Sequence, residues 1–86
     1  MMIEFFFAPG CETCGDDRLV LKRMAKALVS DLVWRDVDVL AELDHAVELG
    51  VLTLPALAID GALTFSGLPS ERRWRAELCK RVGKEP

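Results

Sequence analysis

The nearly unbroken apolar run Ile3-Glu4-Phe5-Phe6-Phe7 stops at Pro9-Gly10 and is followed at once by Cys11-Glu12-Thr13-Cys14 and a segment of helical period. A run of this kind, rich in aromatics, is the signature of a central strand covered on both faces. Two cysteines with two residues between them at the start of a helix bring their sulfurs within bonding reach in one turn, so the pair closes to a disulfide or opens to a dithiol with little backbone movement. The helix start also supplies unpaired N–H groups and a positive dipole end, which stabilise a thiolate on the first cysteine. A strand-to-helix junction carrying Cys-x-x-Cys therefore points to thiol–disulfide exchange. Half of a structural zinc site is the competing reading. It needs a second ligand pair, and the rest of the chain offers only Cys79 and His45, far apart and each in a helix-like segment.

The 86 residues make one domain, residues 1–86, with room for a single core in which roughly 60% of the unfolded chain's surface is buried. Charged residues at 29% and hydrophobic ones at 51% describe a folded globular chain and argue against disorder. With 11 Lys and Arg against 14 Asp and Glu, nucleic acid is not the expected partner. Acidic residues crowd the middle (Asp31 to Asp60) and basic ones the end (Arg72 to Lys84), and solvated faces account for both. No stretch approaches the roughly 20 apolar residues of a membrane span, and no secretory leader is legible at the N-terminus. The expected location is the cytoplasm, where a Cys-x-x-Cys is more often catalytic than structural.

Period and punctuation predict the remaining elements. A first helix from about Glu12 to Ser30 places Leu21, Met24, Ala25 and Leu28 inward and Arg18, Lys22, Arg23 and Lys26 toward the other side. Leu32 to Val37 reads as an edge strand joined to the first by a right-handed crossover, hence parallel to it. Asp38 is expected to cap a second helix whose packed face is Leu40, Leu43 and Val47 and whose stop is Gly50. Thr53-Leu54-Pro55 opens a third strand, Ala56 to Ile59, and Asp60-Gly61 turns it into an antiparallel fourth, Ala62 to Phe65. Gly67 and Pro69 break the chain before a last helix from about Ser70 to Val82, with Trp74, Leu78 and Val82 inward and Gly83 as its stop.

The order β-α-β-α-β-β-α, the Cys-Glu-Thr-Cys junction, Thr53-Leu54-Pro55 at a strand start and the Asp60-Gly61 hairpin followed by Ser66-Gly67 together resemble the thioredoxin-like superfamily, in its small glutaredoxin-sized form, over nearly the whole chain. The resemblance implies an α/β fold with a four-stranded mixed sheet in the order 2-1-3-4 and helices on both faces. It implies a cis Leu54-Pro55 bond lying against the thiol pair, with the backbone of Thr53 and Leu54 pairing to an extended substrate segment. Gly10, Thr53, Leu54, Pro55 and Gly67 are the substrate-binding positions it implies, and Cys11 and Cys14 the catalytic ones.

The chain departs from that pattern in informative ways. Gly10 precedes the pair where thioredoxins have tryptophan, and Glu12-Thr13 lies inside it where they have Gly-Pro and glutaredoxins Pro-Tyr. A carboxylate beside Cys11 disfavours a second negative charge, so Glu12 and Thr13 modulate the pair toward reduction of substrates and away from a strong oxidant. The buried acid of thioredoxins has no counterpart among Phe5, Phe6 and Phe7, and Glu4 is expected to lie too far back to serve. Ser66-Gly67 and Ser70-Glu71 match the glutathione-holding elements of glutaredoxins only in part, and turn and N-cap chemistry accounts for them. Cys79 reads as a packing group, His45 as a surface residue, and Trp34 and Trp74 as core.

The expected activity is a dithiol reductase acting on a disulfide-containing protein or small molecule, re-reduced by a thiol or a reductase, with no cofactor and no bound metal. The alternatives are a carrier or sensor in which the pair holds Cu(I) or Zn(II), and a non-catalytic adaptor that keeps the fold for docking.

Overall fold

A computed structural model describes residues 1–8 and 14–83, apart from the side chains of residues 14–16. The elements run β1 (Met2–Phe7), α1 (Cys14–Leu28), β2 (Val33–Asp38), α2 (Leu43–Leu49), β3 (Ala56–Ile59), β4 (Ala62–Phe65) and α3 (Glu71–Val82). They form one four-stranded sheet in the order β2-β1-β3-β4, as the resemblance implies. β1 pairs parallel with β2 and antiparallel with β3, and β3 pairs antiparallel with β4.

The two faces of the sheet are covered differently. Ile3 and Phe5 point to the side of α1 and α3, where they meet Leu21, Ala25, Val29, Leu57, Ile59, Trp74 and Leu78. Phe6 points to the other side and meets Val37, Ala46, Ala56 and Ala58 under α2. Two covered faces explain why β1 is apolar along almost its whole length. Three alanines in the second cluster let the short α2 lie close to the sheet.

Trp74 holds the larger core together. It is fully buried, and its indole N–H donates to the Leu21 carbonyl of α1 at 2.9 Å. Its ring meets Trp34 and Phe65 edge-on, with centroids 6.5 and 5.9 Å away. Cys79 is buried on the same helix with a free thiol, in keeping with a packing role.

Turn chemistry behaves as the sequence predicts at the β3–β4 hairpin, at the start of α3 and at the C-terminal ends of α2 and α3. Asp60 and Gly61 have φ of 51° and 81°, the left-handed pair that a two-residue hairpin of this twist requires and that Asp and Gly tolerate best. The Asp60 carboxylate accepts the Met2 N–H at 2.8 Å, and the Asp60 N–H donates to the Met2 carbonyl at 2.8 Å, so the hairpin is tied to the start of β1. Ser70 caps α3 by accepting the Arg73 N–H, and Gly50 and Gly83 end α2 and α3 in the left-handed conformation.

Two expectations about α2 are overturned. Asp38 does not cap it. The helix begins five residues later, and the Asp38 side chain accepts the Leu40 N–H while its carbonyl accepts those of Ala41 and Glu42, closing a tight turn after β2. Nor do Leu40, Leu43 and Val47 face the sheet: they are 74%, 53% and 67% exposed, and Ala46 with Leu49 packs inward in their place. The physical reason lies in what the sheet presents to α2, which is a buried carboxylate.

Candidate functional site

Strand register decides which residues meet at the end of the sheet. Phe6 stands opposite Ala56, so Pro55 lies one residue further on, level with Phe7 at the C-terminal end of β1. Phe65 stands opposite Leu57, which brings the Ser66-Gly67 turn to the same end. From this end β1 leaves for the segment that re-enters at Cys14, the first residue of α1. Clefts beyond the carboxyl ends of parallel strands are where α/β folds place their chemistry.

Within this region the Leu54-Pro55 bond is cis, as the resemblance implies. Pro55 is half-buried, while Thr53 and Leu54 are exposed and, among the described residues, make no hydrogen bond through their backbone. Gly67 holds φ at +134°, a conformation that side-chain-bearing residues rarely adopt, although a Cβ there would meet no atom within 4 Å. Its glycine is thus required by the backbone path of the turn and not by crowding. A cleft lined by Asp17, Val20, Leu21, Leu68, Pro69 and Glu71 lies between the first turns of α1 and the loop into α3. Gly10, Cys11, Glu12 and Thr13 lie outside the described residues, as does the Cys14 side chain; their expected roles are untouched by this geometry.

Sequence reasoning missed one constellation here. Glu4, in the middle of β1, is completely buried. Its Oε2 accepts from His45 Nε2 of α2 at 2.6 Å and from a guanidinium nitrogen of Arg35 at 3.3 Å, Arg35 being its cross-strand neighbour on β2. Arg35 also binds the Glu42 carboxylate at 2.9 Å, and the His45 ring lies 5.8 Å from that of Phe6. The second oxygen of Glu4 is buried without a partner among the described residues. His45 is therefore half-buried and engaged, not the surface residue expected. A signal was present: a carboxylate inside a strand buried on both faces must find a partner, and the chain has only one histidine.

Burying a carboxylate is costly, and the two partners offset that cost only while both are present. They are themselves about a third or more exposed, at 34% for His45 and 42% for Arg35, so solvent screens part of the interaction. Replacing His45 by alanine is expected to lower stability by about 1–2 kcal/mol, and replacing Glu4 and His45 together by leucine to restore most of it. Urea unfolding of the two variants measures this. A neutral His45→Ala would show that the pair contributes nothing to holding α2.

Among known proteins, the model of the thioredoxin domain family matches residues 1–78. The chain belongs to the thioredoxin family. It is 30% identical over 83 residues to a probable thioredoxin of Methanothermobacter thermautotrophicus, covering 96% of this chain and 93% of that one. A thioredoxin of Methanocaldococcus jannaschii is 25% identical over 80 residues, covering 93% and 94%. Among solved structures, the thioredoxin of Fasciola hepatica superposes with a TM-score of 0.69 at 24% identity, over 92% of this chain and 78% of that one, and a malarial protein with 0.67 at 19% identity, over 93% of each. These two likenesses show the fold. Membership of the thioredoxin family supports thiol–disulfide oxidoreductase activity at the general level, with a disulfide as substrate and a reductant as electron source.

Proposed function

We propose that this chain is a cytoplasmic dithiol reductase of protein disulfides that works through Cys11 and Cys14. The observation that carries the reading is the match to the thioredoxin domain over residues 1–78, a span that includes a Cys-x-x-Cys ending where α1 begins. The Cys11 thiolate attacks one sulfur of a substrate disulfide, forming a mixed disulfide and releasing the other sulfur as a thiolate that takes up a proton. Cys14, deprotonated, then attacks the Cys11 sulfur. The second substrate sulfur leaves as a thiol, and the two electrons the substrate gained are balanced by the new Cys11–Cys14 disulfide. A thiol reductant or a reductase returns the pair to the dithiol.

The surroundings support each role. α1 presents its positive end toward the segment before Cys14, which favours the attacking thiolate, while Glu12 limits that effect and keeps the pair reducing. The backbone of Thr53 and Leu54, which makes no hydrogen bond among the described residues, is suited to take an extended substrate strand beside Pro55. Gly10 and Gly67 bring no side chains that would narrow a substrate groove.

The test is turnover. Reduced protein supplied with excess dithiothreitol is expected to accelerate reduction of insulin disulfides, and protein oxidised by a small disulfide to be two hydrogens lighter, with a peptide map showing Cys11 joined to Cys14. No acceleration, together with one soft metal ion bound per chain after purification under reducing conditions, would replace this reading by that of a thiol metal carrier.

A further inference from the structure

Glu4 and His45 take no part in the thiol chemistry, and a buried carboxylate is not needed to hold a helix on a sheet. An apolar pair of similar size in such a place is often as stable or more so. One oxygen of Glu4 is moreover buried without a partner among the described residues. What an apolar pair lacks is a direction. The 2.6 Å hydrogen bond from His45 Nε2 to a carboxylate on β1, an interior strand, fixes where His45 stands and so where the helix sits.

The helix α2 depends on such a fixed point more than α1 or α3 does. It has seven residues, and the surface that buries it is built largely of alanine: its own Ala46 against Ala56 and Ala58, with Phe6 and Val37. Small side chains interlock little, so packing alone specifies the position of a short helix weakly. The polar groups act at its start. His45 lies in the first turn, and Glu42, the residue before the helix, binds Arg35, which also reaches Glu4.

The far end of α2 leads directly to the candidate site. Val51 packs on the same cluster and donates its N–H at 3.0 Å to the carbonyl of Ala46, the immediate neighbour of His45. Two residues on come Thr53 and Leu54, whose backbone makes no hydrogen bond among the described residues, and then Pro55 and Ala56, the latter paired with Phe6. The segment offered to a substrate thus hangs between two anchors, β3 on one side and α2 on the other. We propose that Glu4 and His45 are positioning residues for disulfide reduction: by setting where α2 sits, they set the path of Thr53 and Leu54, the backbone that an extended substrate pairs with. This rests on the reading of the chain as a disulfide reductase and deepens it. An unfolded protein substrate depends on that path, whereas a small disulfide, with no backbone to pair, does not.

The test compares a protein disulfide with a small one, below the unfolding transition of every variant. For His45→Ala, the KM for insulin disulfides, reduced with excess dithiothreitol, is expected to rise about fivefold or more while kcat stays within about twofold. The rate at which the reduced protein reacts with dithiodipyridine should also stay within about twofold. His45→Gln, which keeps a donor in place of Nε2, should return KM to within about twofold of wild type. Glu4→Leu with His45→Leu, which should regain most of the stability, should keep KM raised, because stability returns there and direction does not. The amide signals of Thr53 and Leu54 should broaden or double in His45→Ala and in the double variant relative to wild type. An unchanged KM for His45→Ala, an equal loss on both substrates, or a KM that recovers with stability in the double variant would each overturn the proposal. Unaltered amide signals beside an active wild type would overturn the positioning alone, whereas an inert wild type would overturn the disulfide-reduction reading beneath it.

Discussion

Trp74→Ala is expected to lower the stability of the domain by about 4 kcal/mol, the largest effect of any single core substitution in the chain. Three losses combine. Removing the largest fully buried side chain leaves a cavity between α1, α3 and the sheet; the edge-on contacts with Trp34 and Phe65 vanish; and the indole hydrogen bond to the Leu21 carbonyl goes with them. Small domains hold about 5–15 kcal/mol in total, so such a loss removes a large share of it and moves the thermal midpoint by roughly 20 °C. Trp74→Phe should cost roughly half as much, because it restores the ring contacts but not the hydrogen bond. Circular dichroism through urea and heat measures both. A cost below about 1.5 kcal/mol for Trp74→Ala would mean that α3 is held on α1 by other contacts.

The second large effect concerns the thiol pair. Cys11→Ser is expected to bring disulfide reduction to background, because a serine hydroxyl is not ionised at neutral pH and cannot attack sulfur. Cys14→Ser should retain the first step and lose the second, so it accumulates a covalent adduct on Cys11 that wild-type protein does not hold. Cys79→Ala, at a buried position on α3, should keep most of the turnover. Each variant is reacted with a small disulfide and a protein disulfide, and adducts are counted by mass without reductant. Adducts found mainly on Cys14 would reverse the order of attack, and inertness of both serine variants beside an inert wild type would favour the adaptor or metal-carrier reading.

Elements whose cues are local are legible in the order of residues alone. The aromatic run of β1, the Asp60-Gly61 turn, the Ser70 cap and the Gly50 and Gly83 stops each act through their own backbone, so residue type carries the information. Sheet order follows from the crossover and the hairpin together with the resemblance. For α2, periodicity finds the helix but turns the wrong face inward. It assumes that the buried face is the apolar one, and here the face is chosen by a carboxylate 41 residues earlier that only the folded sheet brings beneath His45. Asp38 misleads for a related reason, since an Asp before a helix can close a turn as well as cap one, and the choice depends on where β2 ends. At the site, the cis Leu54-Pro55 bond matches expectation, whereas the expected roles of Gly10, Cys11, Glu12 and Thr13 rest on residues outside those described.

The sheet order also sets a schedule. β1 is the first element of the chain, yet one of its two neighbours is β3: Ile3 waits for Ile59, and Phe6 for Ala56. During synthesis at about 5–20 residues per second, the Phe5-Phe6-Phe7 segment stays unpaired along that edge for several seconds before its partner has left the ribosome. β2, made earlier, can cover only one side. A three-phenylalanine strand held open for that time is a target for off-pathway association, and Glu4 in its midst is the one charge along it that opposes stacking with another nascent chain. The carboxylate that is awkward in the finished core is thus an asset to the unfinished one.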